Sequence, residues 1–570
     1  KYQKTQQKKY SGKFSAHQRG FGFVTVEGEE QDVFISDRDV HGAMNGDVVE
    51  IVLTAAPEGR RREGKIVKIL EHGTTRVVGY FEKSKAFGFV KPDDQRLTRD
   101  IFIESKNTMG AITGHKVVVE LTYYGSETKK PEGKVVEIIG HVNDPGTDIL
   151  SIVKAFGLTT EFPREVLTEV EQIPDEVERK EEENRLDIRE LQMVTIDGED
   201  AKDLDDAVSL TKNEKGYELG VHIADVTHYV RESSELDKEA LERGTSTYLV
   251  DRVIPMLPHK LSNGICSLNA GVDRLALSCF MTIDNKGEVI DHKIVETLIR
   301  VDRRMSYTQV KAILEEPDSQ DRIEFKEQIL MLEEMGKVAD LLRNQRQRRG
   351  SIDFDFPETK MILDEKGKPI EIKPYDRNVA TKLIEDFMLI ANETVAEDFF
   401  WQEMPFVYRT HDKPDPEKIE KLKTFINNFG YILKGDKETI HPKELQMLLA
   451  SVEGKDEEAL ISRLTLRSMK QARYTPENSG HFGLAATYYC HFTSPIRRYP
   501  DLQIHRIIKD RLNGRMSKDR IEHYQHILQE VSKQCSERER RSEEAERETI
   551  KLKKVEYMQE HQDELFDGVI

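Results

Sequence analysis

Gly20-Phe21-Gly22-Phe23-Val24, Asp32-Val33-Phe34-Ile35 and Gly46-Asp47-Val48-Val49 return, in the same order, as Ala86-Phe87-Gly88-Phe89-Val90, Asp100-Ile101-Phe102-Ile103 and Gly114-His115-Lys116-Val117-Val118. Three blocks repeated in one order mark a tandem duplication. Each block is short, rich in Phe, Val and Ile, and bounded by Gly, Asp or Asn, the pattern of strands and turns. The spacing predicts two small β-rich units, over 1–70 and 71–145. Residues two apart in a strand share a face. Phe21 and Phe23 with Phe34, and Phe87 and Phe89 with Phe102, thus form an aromatic platform in each unit, with Gly22 and Gly88 leaving the opposite face unobstructed. Bases stack on such platforms with little sequence preference, at about 1–3 kcal/mol each. Lys13, Arg19, Lys83, Lys85 and Lys91 are placed to meet phosphates. A single Phe at such a position more often packs a core; it is the repeated pairing that favours binding. The second copy has Lys85-Ala86-Phe87 where the first has Arg19-Gly20-Phe21, and a longer loop to the next strand, so the two copies should bind with different strength.

Beyond the repeat, residues 146–189 read as an acidic linker or entry segment, most acidic over 171–185. Leu191-Gln192-Met193-Val194-Thr195-Ile196 opens a larger region over 190–560. Ala207-Val208-Ser209-Leu210-Thr211, a turn at Asn213-Glu214-Lys215-Gly216, and Tyr217 to Ala224 predict a hairpin near the centre of a sheet. Helical signals follow over 324–348, 380–400, 416–430, 442–452 and 456–468, with a long helix over 519–561. The charged run Arg538 to Glu548 reads mostly as a solvated face. Leu565-Phe566-Asp567-Gly568-Val569-Ile570 reads as the first strand of a further β-domain over 561–570.

The chain has 570 residues and a formal net charge of -19. Residues 1–150 carry 23 Lys and Arg against 22 Asp and Glu; the remainder carries 63 against 83. Bulk acidity disfavours non-specific duplex binding but permits a narrow basic channel. No run of about 18 apolar residues exists, which gives no transmembrane helix and no membrane partner. The start is basic and polar, without a signal-peptide core and without an initiator methionine. Cys266, Cys279, Cys490 and Cys535 form no CxxC pair, so a disulfide framework or zinc ribbon is not expected and a cytoplasmic setting is.

Thr195-Ile196-Asp197-Gly198-Glu199-Asp200-Ala201-Lys202-Asp203-Leu204-Asp205-Asp206-Ala207 places six acidic residues in ten positions between strand-forming flanks. Two carboxylates about 5 Å apart repel by about 3 kcal/mol at an effective dielectric near 20. Such a cluster calls for counter-charge, and Mg²⁺ supplies it through carboxylate oxygens and retained waters. Two such ions suit phosphodiester cleavage. An Asp-rich surface turn is the plain alternative. A calcium loop fits poorly, because the Asp spacing is wrong and the closing bidentate Glu is missing.

These motifs carry two resemblances. The repeated blocks resemble the nucleic-acid motifs of cold-shock domains, which are small OB barrels. Thr195-Ile196-Asp197 followed by Asp203-Leu204-Asp205-Asp206 resembles the catalytic signature of the ribonuclease II/R (RNB) family of 3′-to-5′ exoribonucleases, leaning toward the ribonuclease R branch. The resemblance continues through Val221-His222-Ile223-Ala224-Asp225-Val226, Val253-Ile254-Pro255-Met256-Leu257-Pro258, Arg349-Gly350-Ser351-Ile352-Asp353-Phe354 and His491-Phe492-Thr493-Ser494-Pro495-Ile496-Arg497-Arg498-Tyr499-Pro500-Asp501-Leu502. It covers about 10–570. It implies a multidomain α+β protein with two N-terminal cold-shock/OB-type barrels, a large mixed α+β catalytic domain and the start of a C-terminal OB-type domain. It further implies two Mg²⁺ held by Asp197, Asp203, Asp205 and Asp206, with Mn²⁺ as a substitute. Asp205, Arg497 and Tyr248 become the expected catalytic residues, with Tyr248 positioning the last nucleotides. Phe354, Glu385, Arg497, Arg498 and Glu546 become the expected substrate contacts besides the Phe platforms. The partner it implies is single-stranded RNA with a free 3′ end, threaded past the barrels into a channel, the enzyme being a monomer that releases nucleoside 5′-monophosphates processively. Ser494-Pro495 independently reads as a turn into a helix start, where two Arg make a phosphate site.

Three other readings use the same residues. The β-units alone suit a non-catalytic RNA-binding protein or chaperone. The carboxylates alone suit a metal-dependent endonuclease or phosphodiesterase. A zinc hydrolase would draw on His222, His228, His411 or His491, without the HExxH spacing.

Overall fold

The computed structural model describes residues 8–26, 32–54, 62–126, 129–353, 359–435 and 440–566. They form two units: residues 1–159 with 363–370 and 547–570, and residues 160–362 with 371–546.

The first unit holds two closed five-stranded barrels. The first uses β1 (Lys9–Ala16), β2 (Gly22–Val26), β3 (Val33–Ile35), β4 (Val48–Thr54) and β5 (Glu63–Glu71). The second uses β6 (Arg76–Lys83), β7 (Phe87–Pro92), β8 (Ile101–Glu104), β9 (His115–Tyr123) and β10 (Glu132–His141). The duplication holds down to register. Phe23 faces Phe34 and Phe89 faces Phe102 on antiparallel neighbours. β3 pairs parallel with β5, and β8 with β10. Alternation fills each core, with Phe14, Val24, Ile35, Ile51 and Ile66 in one and Phe81, Val90, Ile103, Val117 and Val119 in the other.

Gly22 and Gly88 have a different reason from the expected open face. A Cβ on Gly22 would stand 2.3 Å from the Phe14 ring, and one on Gly88 2.5 Å from the Phe81 ring. The buried Phe occupies the space that the glycine leaves. A side chain there would overpack the barrel, at about 1–3 kcal/mol.

The second unit is built on a seven-stranded sheet in the order β11-β18-β17-β14-β13-β12-β19. Its strands are β11 (Leu186–Asp187), β12 (Val194–Asp197), β13 (Asp206–Asn213), β14 (Gly216–Ala224), β17 (Asp273–Ile283), β18 (Val289–Arg300) and β19 (Arg303–Ser306). A short separate ladder joins β15 (Thr247–Tyr248) to β16 (Val253–Ile254). The expected hairpin is β13–β14, with Asn213 opposite Gly216, and β14 is the central strand.

The stretch expected as a linker is partly helical: α1 (Thr147–Ala155), α2 (Arg164–Glu171) and α3 (Arg179–Glu182). Val166 and Val170, one turn apart, bury themselves in the main core. Then come α4 (Glu235–Arg243), α5 (Tyr307–Glu315), α6 (Gln320–Glu324), α7 (Ile329–Arg349), α8 (Val379–Trp401), α9 (Pro416–Asn427), α10 (Pro442–Val452), α11 (Glu458–Ser468), α12 (Tyr499–Leu512) and α13 (Lys518–Glu560). Their starts are written locally. Asn378 caps α8 through Ala380 and Thr381, and Asp415 with Pro416 opens α9. Helices α9 to α11 close a second core around Ile419, Leu422, Leu445 and Ile461.

Two expectations change. Leu565 and Phe566 are exposed and belong to no strand, and residues 567–570 lie outside the described residues. The charged run on α13 is not only a solvated face, because Glu539 takes Arg409 at 2.6 Å. No helix among the described residues is long and apolar enough to cross a membrane.

Candidate active site

The acidic segment is the connection from β12 to β13, and its shape follows from what holds it. Arg304, on the strand beside β12, donates to the carbonyls of Glu199 at 2.9 Å and Ala201 at 2.6 Å. Ser267 donates to the carbonyl of Lys202 at 2.8 Å and accepts the Leu204 N–H at 3.1 Å. Leu204 is fully buried. The Ala224 N–H donates to the Asp205 carbonyl at 2.9 Å. Pinned at these points, the loop turns Asp197, Asp203, Asp205 and Asp206 inward. Glu199 and Asp200 stay exposed, Glu199 accepting from Thr308.

The second half of the site is the turn 494–498. Asp205 Oδ1 accepts the Ile496 N–H at 2.8 Å, and the Arg497 Nε stands 3.6 Å from Asp205 Oδ2. Arg497 donates to Ser494 Oγ at 3.0 Å and is 40% exposed, so most of its donors face outward. The chain 244–248 braces this turn: Ser246 N–H donates to the Arg497 carbonyl at 2.9 Å, and Tyr499 N–H to the Gly244 carbonyl at 3.0 Å. Four residues after Gly244, the Tyr248 hydroxyl donates to Asp203 Oδ2 at 2.9 Å.

Burial and mutual repulsion set the electrostatics. Burial, then the charge of Asp203, pushes Asp197 up to about 6. Burial, then Asp197, pushes Asp206 up to about 8. Burial also carries Asp205 well above the carboxylate range, against the pull of Arg497. Tyr248 and Tyr307 are held neutral by burial beside these acids. Asp197 Oδ2, Asp205 Oδ2 and Asp206 Oδ2 are buried and have no hydrogen-bond partner. An unsatisfied buried carboxylate oxygen costs at least about 1–3 kcal/mol.

That is the fit expected of residues awaiting a hard cation: oxygen donors only, surplus negative charge, and lone pairs that the protein leaves unmet. Among the described residues, no three side chains already converge into a coordination cage. Mg²⁺ does not require one, since it commonly takes one or two carboxylates and keeps several waters.

The other expected residues divide. Arg498 is not offered to a ligand. It is half-buried and bound twice by Asp501, at 2.9 and 2.7 Å, and its residue is the N-cap of α12. The helix therefore starts at Tyr499 rather than at Ser494-Pro495, and the carboxylate of Asp501 fills the position expected for phosphate. Glu385 pairs with Arg377 at 2.8 Å, which also holds Asp353 at 2.9 Å. Glu546 is half-buried on α13, and Phe354 lies outside the described residues.

In the barrels the six Phe are half-buried triads, not flat platforms. Rings of Phe21, Phe23 and Phe34 lie 5.6–5.8 Å apart at steep mutual angles; those of Phe87, Phe89 and Phe102 lie 5.4–5.9 Å apart. The zinc alternative finds no centre. His222 is buried between Ser209 and Ser278, His411 meets the Lys470 carbonyl, His491 meets Tyr474, and His228 meets Glu181.

Sequence reading missed Arg304, Ser267 and Tyr307. Tyr307 opens α5 directly after β19, where burial, then the charges of Asp197 and Asp206, raise it. Its signal was present: Ser306 with Gln309 three residues on is a capping box, which fixes Tyr307 as the first helical residue.

The family model described as RNB domain matches residues 185–514, Ribonuclease B OB domain matches 12–69, and Cold shock domain matches 89–163. Ribonuclease R of Thermotoga maritima is 45% identical over 558 residues, covering 97% of this chain and 78% of that protein. The structure of Mycoplasma genitalium RNase R in complex with ribose-methylated single-stranded RNA superposes with a TM-score of 0.90 at 25% identity, covering 97% of this chain and 87% of that one. Yeast Ssd1, a pseudonuclease, shares the fold alone, with a TM-score of 0.76 at 19% identity, covering 95% of this chain and 73% of that one. With the RNB model spanning more than half of the chain and a ribonuclease R identical at nearly half of the aligned positions, this chain belongs to the RNB family of hydrolytic 3′-to-5′ exoribonucleases.

Proposed function

We propose that the chain degrades single-stranded RNA processively from a free 3′ end, releasing nucleoside 5′-monophosphates, with Asp197, Asp203, Asp205 and Asp206 as the residues that hold two Mg²⁺ ions. The observation that carries the proposal is the set of three buried, partnerless carboxylate oxygens beside an Arg497 that still has open donors. When bound, the two cations supply neutralising charge and activation of the attacking water, chemistry for which Mn²⁺ is a substitute. The chain's own residues do the rest. Arg497 meets the charge on the phosphate oxygens. Tyr248, fixed through Asp203, orients the last nucleotides. Glu385, Glu546 and the Phe triads add substrate contacts, and the braced turn 494–498 keeps Arg497 against Asp205. Mycoplasma genitalium RNase R has also been solved in complex with double-stranded RNA, which supports extending the substrate to duplexes with a 3′ overhang. We take the protein to act as a monomer in the cytoplasm; its four cysteines are buried thiols, which suits a reducing compartment.

The direct test compares end-labelled linear and circular RNA with Mg²⁺ and with EDTA. Mononucleotides appear from the linear strand with Mg²⁺ only, and the circle stays intact. Cleavage of the circle would point instead to an endonuclease.

Tyr248 gives a separate expectation. Tyr248→Ala removes both the ring and the donor to Asp203, so the final product changes length. Tyr248→Phe removes only the donor and should slow turnover while keeping the product length. A Tyr248→Ala ladder identical to that of the parent would refute the positioning role.

The raised carboxylates also predict a pH signature. The folded chain binds protons at Asp197 and Asp206 more tightly than the unfolded chain does, whose aspartates titrate near about 3.9. Without cations, the stability contributed by these groups therefore falls as pH rises from there through about 6 and about 8. Divalent cations bind the ionised forms. The rise in Tm on adding Mg²⁺ should thus be small near about pH 6 and larger near about pH 8.5, at about 1 °C per kcal/mol gained. Calorimetry with Mg²⁺ and with EDTA measures it. A rise that shrinks with pH would count against cation binding at these residues.

A further inference from the structure

The two barrels share their aromatic triads but not what sits on them. Between the paired residues Ala16 and Gly22 the first barrel has five residues, and between Lys83 and Gly88 the second has four. The extra residue reshapes the turn. The His17 N–H donates to the Phe21 carbonyl at 2.7 Å, and the Gly20 N–H returns to the His17 carbonyl at 2.9 Å. The Arg19 N–H donates to His17 Nδ1 at 3.2 Å. These bonds hold the imidazole flat over Phe21, with centroids 4.3 Å apart and planes within 10°. In the second barrel the same backbone bond, Ser84 N–H to the Phe87 carbonyl at 2.8 Å, carries a serine with no ring. There the Lys130 ammonium stands 4.6 Å over Phe89.

His17 is exposed, so its outer face meets solvent. Because Nδ1 accepts, the neutral ring carries its proton on Nε2, where it is a donor with no protein partner among the described residues. A ring already held by the Arg19 N–H and by its stacking on Phe21 loses little freedom when a base stacks on it. We infer that His17 is a fourth stacking element of the first barrel: a base of single-stranded RNA seats on the outer face of the imidazole, and Nε2–H donates to an oxygen of that nucleotide. The inference rests on the RNA-binding reading of the barrels. It makes the two copies unequal, because the second barrel carries Ser84 where the first carries the His17 ring.

The test measures binding of the full chain to a fluorescein-labelled single-stranded oligonucleotide in EDTA, which prevents turnover, by anisotropy. His17→Ala should weaken binding about 5- to 10-fold, and His17→Phe should stay within about threefold of the parent, because stacking on an aromatic face is its main part. Phe23→Ala and Phe89→Ala serve as references for the triads. If Phe23→Ala weakens binding and His17→Ala does not, or tightens it, His17 is a bystander or a competitor and the inference is overturned while the barrel reading stands. If neither Phe variant changes binding, the barrel reading fails and takes the inference with it. His17 is exposed, so its variants should keep the parent Tm, and a lost fold would show there.

Discussion

Asp205→Asn loses cleavage by about 10³-fold or more while RNA affinity is unchanged or tighter. The substitution is narrow. Asn keeps an Oδ1 that accepts the Ile496 N–H now bonded at 2.8 Å, so the turn 494–498 stays braced. What disappears is the negative charge beside Arg497 and the partnerless Oδ2. Removing a negative charge from a site that receives a phosphodiester cannot weaken the phosphate's electrostatic welcome. In the absence of divalent cations the variant should also be more stable than the parent, because a buried carboxylate raised by burial gives way to a neutral amide. Single-turnover hydrolysis, anisotropy in EDTA and calorimetry in EDTA read the three consequences separately. Turnover near the parent rate with saturating Mg²⁺ would remove Asp205 from the chemistry.

The fold shared with Ssd1 shows why such a test is needed. The same fold occurs in a protein described as a pseudonuclease, so the fold positions a site but side chains decide whether it works.

How much could be read in advance follows the range of the interactions. The Phe triads, the β13–β14 hairpin and the starts of α8 and α9 were legible because their determinants lie within a few residues: alternation, the Asn213 to Gly216 turn, Asn378, and Asp415 with Pro416. The cluster of six acidic residues over 197–206 was legible for the same reason. Its support was not. Arg304 reaches the carbonyls of the acidic loop from 105 positions away, and Ser267 from 63. No local pattern encodes such contacts. Arg498 is an intermediate case. Its partner Asp501 is three residues on, the spacing of a helical ion pair, so the sequence held the signal that separates it from Arg497. The role of Gly22 and Gly88 was read from the wrong side, because the rings of Phe14 and Phe81 reach them from the neighbouring strand.

Asp225→Asn should destabilise the protein by about 3–5 kcal/mol, which at about 1 °C per kcal/mol for a unit of this size lowers Tm by roughly 3–5 °C. Asp225 follows β14 and is almost completely buried. It accepts Arg185 at 2.6 Å and Lys509 at 2.8 and 2.7 Å, with Thr227 at 2.8 Å. Burial pushes its carboxyl up, but Lys509 and Arg185 outweigh that and hold it well below the usual range. Its stabilisation is therefore complete above the unfolded aspartate pKa and is lost as pH falls through the folded value. Without the charge, the two buried cations are left sharing, among the described residues, the carboxylate of Glu296, 3.4 Å from each. The damage reaches the active site, since Ala224, the residue before Asp225, donates its N–H to the Asp205 carbonyl. Lys509→Met added to Asp225→Asn should recover part of the lost stability, because one stranded cation is gone and its stem volume is kept. Hydrolysis should fall with the first change and rise with the second. If Asp225→Asn unfolds within about 1 kcal/mol of the parent, the ion cluster is not what fixes the end of β14, and the support assigned to the Asp205 loop must come from Ser267 and Arg304 alone.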